Sequence, residues 1–292
     1  MEDKSTKFPL LSVIVPVYNG EKIIAQLLEN LLLNQVSHNI PLEIIFIDDA
    51  STDRTVDIIE KFKYAGVKLI KLKTNKGTSA ARNVGIRNSN GELVIFIDSD
   101  DALGNNFFNK LDNAYDPGID CYLFDMIWQY NDFCLLYTFI KNQTDKRNLI
   151  RIGSVCNKVF RKDKLPEFEE SMRFYEDTHF MFKVLSMNHN LNVKYIPDVC
   201  YMYNRLNENS KSTSFHSYDY LKVKKEIFEL CKKGDKATQM ICLETYAGVL
   251  FTTNYPIIIK LKVALSAIFT FPELIISVLK DPVKNNMIIK RI

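Results

Sequence analysis

The 292-residue chain is expected to be an α/β protein, with a Rossmann-like, mostly parallel sheet flanked by helices and a helical C-terminal extension. Three observations predict this. Short apolar runs alternate with helix-period segments through the first hundred residues, which is the pattern of βαβ units. Each apolar run ends in a polar or charged cluster. The composition, 47% hydrophobic and 25% charged, is that of a folded globular chain.

In order, Leu11–Val17 is a continuous apolar run, as in a strand buried on both faces. From Glu21 to Asn34, Ile23, Ile24, Leu27, Leu28, Leu31 and Leu32 fall on one helical stripe. A second strand, Leu42–Ile47, leads into Asp48-Asp49-Ala50-Ser51-Thr52-Asp53, where Ser51 or Thr52 is the expected cap of a helix over Thr55–Phe62. A third strand, Val67–Leu72, passes through Asn75-Lys76-Gly77 into a helix carrying Arg82, and a fourth, Leu93–Ile97, runs into Asp98-Ser99-Asp100-Asp101. In the second half, strands are expected within Asp120–Ile140 around a turn near Asn131-Asp132, and again over residues 193–203. A helix is expected from Tyr175-Glu176-Asp177 to about Asn188, a polar loop over Asn204–Phe215, and helices from about Tyr218.

Charge and cysteine usage narrow the function classes. A net charge of +3 is too small to argue for a nucleic-acid partner, and its excess is local. From His216 onward there are 12 Lys/Arg against 7 Asp/Glu, a balance of +5; the preceding residues carry 26 and 28, a balance of −2. The six cysteines form no CxxC pair and no metal-ligand spacing, which suits reduced thiols and a cytoplasmic location. The N-terminal residues lack a signal-peptide core, and no uncharged run is long enough to span a bilayer.

In a parallel sheet, ligands bind beyond the carboxyl ends of the strands. Those ends carry Pro16-Val17-Tyr18-Asn19, Asp48-Asp49, Asn75-Lys76-Gly77 and the 98–101 tip, so they define one candidate site. In extended geometry Asp98 and Asp100 face the same way, and two hard carboxylates suit Mg²⁺ or Mn²⁺; a solvated, capping loop is the alternative. Asp48 or Asp49 is read as an acceptor for a uracil imide N–H; the alternative is that Asp49 or Asp53 only charges the next helix N-terminus. Tyr18 is read as a stacking surface for a base or as core. Arg82 is read as a base or phosphate contact or as a surface ion pair. His179 is read as packing.

VIVPVYNGE, IIFIDDASTDRT, NKGTSAARNVGI and LVIFIDSDD, in this order and spacing, resemble the family 2 glycosyltransferases of the GT-A fold. The resemblance is strong over roughly the first 105 residues. It continues more loosely through Asn157-Lys158-Val159-Phe160, Tyr175-Glu176-Asp177 and the Tyr201–Ser210 segment, and fades after about 215. It implies a nucleotide-sugar-binding half (1–105) and an acceptor-binding half (106–215) of one domain; the remainder (216–292) is expected from its pattern to be a helical C-terminal region. Pro16, Tyr18, Glu21, Asp48, Asp49, Asn75, Arg82, Asp98, Ser99, Lys158 and Arg205 would form the nucleotide-sugar site. Asp100, with Asp98, would hold Mn or Mg, and Asp177 would be the general base. The implied activity is inverting transfer of a sugar, from a UDP-sugar, to a hydroxyl of a polysaccharide or lipid-linked glycan. The QxxRW signature of processive synthases is missing, and the single tryptophan, Trp128, lies elsewhere.

Three other readings stay open at this level: a polyprenyl-phosphate sugar transferase, a Mg-dependent phospho-acceptor signalling domain, and a nucleotide-sugar-binding protein without catalysis. Residues 255–280 mix large apolar side chains with lysines. They are expected to give peripheral contact with the inner face of a membrane; a helix packed on the domain or in a homodimer is the alternative.

Overall fold

The computed structural model describes residues 9–36, 40–63, 66–139, 146–204, 217–251, 257–270 and 287–291. Strand β1 (Leu11–Val17) is buried along its whole length and pairs in parallel with β2 (Leu42–Asp48) and β4 (Leu93–Phe96). Strand β3 (Val67–Lys71) adds in parallel to β2. Helices α1 (Ile24–Val36), α2 (Thr55–Glu60) and α3 (Thr78–Asn88) make the crossovers. The apolar run read as a strand buried on both faces is β1, which lies between β2 and β4.

Past β4 the pairing changes. A two-residue strand, β5 (Ala102–Leu103), and helix α4 (Phe107–Ala114) lead to the hairpin β6 (Cys121–Gln129) and β7 (Cys134–Phe139), closed by the Tyr130 N–H donating to Phe133 O. Then follow α5 (Asn148–Arg151), β8 (Lys158–Arg161), α6 (Glu176–Met187) and β9 (Val193–Asn204). Strand β8 inserts between β4 and β6, antiparallel to both, while β9 runs parallel to β6 and antiparallel to β5. The parallel order expected from sequence therefore holds for β3-β2-β1-β4, and the second half extends the same sheet with mixed pairing.

Helices α7 (Ser217–Lys232), α8 (Lys236–Phe251) and α9 (Ile257–Thr270) follow, with α7 and α8 packed on α6. The C-terminal region is not only helical: β10 (Met287–Arg291) returns to the sheet as an edge strand antiparallel to β7. Five residues reading MIIKR carry no alternation long enough to announce a strand, and pairing with β7 decides it.

Two details aim the site. The register of β9 slips against β6 between Phe124 and Asp125, a bulge that accommodates Asp198 at φ 61°. The buried Asp125 carboxylate secures it, accepting from Tyr195 Oη at 2.5 Å and from the Asp198 N–H at 3.0 Å. Helix α3 lies so close to β1 that a Cβ built on Gly85 would stand 2.3 Å from Ile14 Cγ2 and 3.1 Å from Ile47 Cδ1. Gly85→Ala is therefore expected to destabilise the fold by about 1–3 kcal/mol, despite the helix-propensity gain. A urea titration with unchanged or raised midpoint would contradict that close approach.

Candidate active site

The carboxyl edge of β1, β2 and β4 opens into a cleft of about 1540 Å³. Pro16, Tyr18, Glu21, Asp49, Asn75, Arg82, Asp98, Ser99, Asp100 and Asp177 all line it. A smaller depression of about 530 Å³, between Gly91 and Lys162, carries none of these residues.

The loops after β1 and β2 are laced to each other. Asn19 N–H donates to Ser51 Oγ (2.9 Å), Thr52 N–H to Asn19 Oδ1 (2.8 Å), Gly20 N–H to Thr55 Oγ1 (2.7 Å), Glu21 N–H to Asp53 Oδ2 (3.1 Å) and Arg54 N–H to Glu21 Oε2 (3.2 Å). Ser51 and Thr52 thus serve Asn19 rather than capping α2; the Thr55 N–H goes instead to Asp53 Oδ1 at 3.0 Å. The bonds to Thr55 and Glu21 hold the Asp53 pKa below the ordinary carboxylate range, against the opposing effect of burial. Asp48 is buried beside the cleft, and its carboxylate accepts the Ser51 N–H. Asp49 accepts the N–H groups of Lys76 (2.8 Å) and Gly77 (2.7 Å), fixing the turn before α3. Gly77 takes φ 90° there, a conformation that favours glycine. Tyr18, half exposed, stands at the rim.

At the centre lies Arg82, with only 2% of its side chain exposed. Its guanidinium forks between two carboxylates: Nη1 donates to Asp177 Oδ1 at 2.5 Å and Nη2 to Asp98 Oδ1 at 2.8 Å. Beneath it Phe168 lies with its ring centroid 5.3 Å from Cζ, stacked in turn on Phe180. Burial works to lower the Arg82 pKa, but the charges of Asp177 and Asp98 outweigh it and keep the pKa well above its ordinary value. Arg82 is thus a buried bridge between the fourth strand end and α6 that lines the cleft, and the surface ion pair weighed as its alternative is ruled out by that burial.

Asp177 occupies the first turn of α6, where the helix N-terminus favours an anion. Its second oxygen accepts the Val155 N–H at 3.1 Å. Tyr175, at φ 60°, turns the chain into this helix. The Lys158 ammonium lies beneath the cleft wall, fully buried, donating to Asn157 Oδ1, Ile152 O and Ser154 O. Burial pushes its pKa down to about 8. It braces the Ile152–Val155 loop that reaches Asp177. Arg205 falls outside the described residues. His179 is buried in α6, and burial drives its pKa down to about 4, which leaves it neutral packing.

The acidic tip differs from the extended arrangement expected of it. After Ile97, whose N–H still donates to Ile14 O at 3.0 Å, the chain turns, closed by the Asp101 N–H donating to Asp98 O at 3.1 Å. Asp101, the third carboxylate of the tip, is buried and does not line the cleft. It accepts from Tyr201 Oη at 2.5 Å and from the Asn204 N–H at 2.8 Å, while Tyr201 Oη accepts the Asp98 N–H at 3.1 Å. This clasp ties the tip to the end of β9. Its only sequence signal was the third aspartate of IFIDSDD.

Among the described residues no three His, Cys, Asp or Glu side chains gather in a metal-ligating group. Asp98 and Asp100 still offer a hard, all-oxygen donor pair at the cleft. That set fits Mg²⁺ or Mn²⁺, which keep waters and take further oxygens from a substrate phosphate. The opposite wall was also missed: Trp128 packs near Tyr137 (4.6 Å between centroids) and Tyr203 (5.8 Å), and Arg151 and Arg173 lie on the same cleft. Met126 and Trp128, two residues apart near the end of β6, share the face that lines the cleft, so period-two patterning alone held the clue.

The chain is thus an α/β protein whose parallel half ends in laced acidic loops, joined through a buried arginine to a carboxylate on a later helix. The model of "Glycosyl transferase family 2" matches residues 12–187, and the chain belongs to that family. The minor teichoic acid biosynthesis protein GgaA of Bacillus subtilis is 36% identical over 203 residues, covering 60% of this chain and 43% of GgaA. The poly(ribitol-phosphate) beta-N-acetylglucosaminyltransferase TarS of Staphylococcus aureus is 44% identical over 94 residues, 32% of this chain and 16% of TarS. The chain spans under half the length of these relatives. The crystal structure of S. aureus TarS 1–349 with UDP-GlcNAc superposes with a TM-score of 0.68 at 24% identity, covering 90% of this chain and 82% of that one. A Pyrobaculum calidifontis mannosyltransferase with GDP-Man and Mn2+ superposes at 0.52 and 17% identity, over 96% and 77%. The GT-A fold expected from the motifs is thereby met, and the phospho-acceptor signalling reading falls away.

Proposed function

We propose that the chain is an inverting, metal-dependent glycosyltransferase that moves a sugar from a UDP-sugar to a hydroxyl of a teichoic-acid-type polymer or related lipid-linked glycan. One observation carries the reading. Arg82 holds Asp98, on the strand-end tip, and Asp177, on α6, in a single cleft, so a donor-side and an acceptor-side carboxylate face the same space. Family membership and the UDP-GlcNAc complex of TarS support the donor. The names of TarS and GgaA support the acceptor class.

In this mechanism the laced loops after β1 and β2 seat the nucleoside, with Tyr18 at the rim as its stacking surface. Asp98 and Asp100 would hold the divalent cation, whose chemistry when bound is to offset negative charge on the departing diphosphate. Asp177 accepts the proton of the acceptor hydroxyl. That oxygen forms a bond to the anomeric carbon from the face opposite UDP, while the bond to the diphosphate oxygen breaks and its electron pair leaves with UDP. Configuration is inverted. Each oxygen of Asp177 has two lone pairs, so the bonds to Arg82 and Val155 leave acceptor capacity toward the cleft.

Calorimetry of UDP binding with and without Mn²⁺ tests the donor half. Wild type is expected to bind more tightly with metal, and Asp100→Ala to lose at least about tenfold, as expected when a charge-assisted contact is removed. Folded wild type that binds neither UDP nor another nucleotide would overturn the assignment. Binding without turnover on any acceptor would instead favour the non-catalytic reading.

A further inference from the structure

Helix α9 is held by one face and bare on the other. Val263 is buried, and the Lys224 ammonium of α7 donates to Lys262 O (3.3 Å) and Ser266 Oγ (3.1 Å), which fixes the inward side. The outward side presents Ile258, Leu261, Leu265 and Ile268, each 49–60% exposed. Their spacing of three, four and three residues places them on one stripe, running about 15 Å along the helix and opposite Val263. Elsewhere among the described residues, Tyr18, Leu33, Met187 and Ile289 are exposed large apolar side chains on separate elements or loops. A contiguous stripe calls for an occupant; scattered residues do not.

Charge selects the occupant. The sequence of α9 contains Lys260 and Lys262 and no Asp or Glu, and Lys262 is exposed beside the stripe. Two copies pairing through this face would bring one Lys262 toward the other with no carboxylate on the helix to offset them. An anionic lipid surface matches both features: the apolar stripe enters the headgroup–acyl boundary, while Lys262 stays at headgroup level. Among the described residues no helix is long and apolar enough to cross a membrane, so the contact is one of lying on the surface. We infer that α9 seats the protein on an anionic lipid surface through Ile258, Leu261, Leu265 and Ile268, with Lys262 at the headgroups. The inference stands apart from the donor-site reading, since no residue of the stripe lines the cleft.

The test is sedimentation of the full chain with sucrose-loaded vesicles of phosphatidylglycerol and phosphatidylcholine, against pure phosphatidylcholine, at low and high salt. Binding is expected on the anionic vesicles, reduced by salt and by removal of phosphatidylglycerol. The double variant Leu261→Glu, Leu265→Glu is expected to lower the bound fraction at least tenfold, whereas Leu33→Glu leaves it unchanged. Circular dichroism and UDP calorimetry on the same variants separate this result from loss of fold or of the donor site. Three results overturn the proposal: no wild-type binding to anionic vesicles, equal binding to both compositions, or a dimer in solution that the double variant dissolves while vesicle binding is absent.

Discussion

Asp177→Asn is expected to lower turnover by about 10²–10⁴-fold, the range for removing a general base, with UDP affinity changed by no more than about twofold. The carboxylate is placed for proton transfer by three independent constraints: the first turn of α6, the Arg82 fork at 2.5 Å and the Val155 N–H at 3.1 Å. An amide there retains one acceptor oxygen for Arg82 but turns its NH₂ toward the Val155 N–H, donor against donor. A stability loss of about 1–3 kcal/mol should accompany the kinetic effect, measurable by urea unfolding. Two controls keep the result interpretable. UDP calorimetry reports whether the donor half is intact, and activity on polyprenyl phosphate reports whether a base is needed at all. Full activity of the variant on that phosphate acceptor would replace the hydroxyl-acceptor mechanism with the polyprenyl-phosphate one, because a phosphate oxygen is already an anion and needs no deprotonation.

Arg82→Met should cost both stability and activity. Methionine fills much of the buried channel over Phe168, so packing is largely conserved and the electrostatic loss is isolated. Removing the cation leaves Asp98 and Asp177 facing one another without their shared counter-ion. Breaking a buried pair costs about 3–5 kcal/mol. Here the carboxylates are 31% and 23% exposed, and their residual solvation brings the expectation to about 2–3 kcal/mol. Turnover should fall at least about 10²-fold as the two carboxylates lose their common alignment. Arg82→Lys retains the charge but not the planar fork, so it should recover much of the stability and little of the activity. Thermal unfolding and steady-state kinetics on the pair decide it. Arg82→Lys with wild-type turnover would show that charge alone matters and that the fork has no positioning role.

Local chemistry made the first half of the chain readable. Doubly buried strands must be apolar throughout, crossover helices must carry an apolar stripe, and the strand ends of a parallel sheet must hold the polar residues. Leu11–Val17 is the doubly buried case, and with Leu42–Ile47, Val67–Leu72 and Leu93–Ile97 it matched its strand to within a residue. The helices were bounded less closely, α1 starting at Ile24 rather than Glu21 and α2 ending at Glu60 rather than Phe62. Capping went wrong for a related reason. Ser51 and Thr52 are good caps in isolation, but their partner proved to be Asn19, more than thirty residues earlier.

The amino-acid sequence by itself determined the strand–helix alternation, the edge at which the site would form and the residue types gathered there. Each of these follows from periodicity and local propensity, which act over a few residues. Tertiary structure alone decided how those residues are used. It joined Arg82 to Asp177, 95 positions away, and turned Asp101 inward to clasp Tyr201 and Asn204. It sank Lys158 beneath the cleft and brought β10 back to β7. It also chose which face of α9 stays bare. Ion pairs, buried hydrogen bonds and strand pairing form between groups that only folding brings within 3 Å of each other, and no local pattern records them.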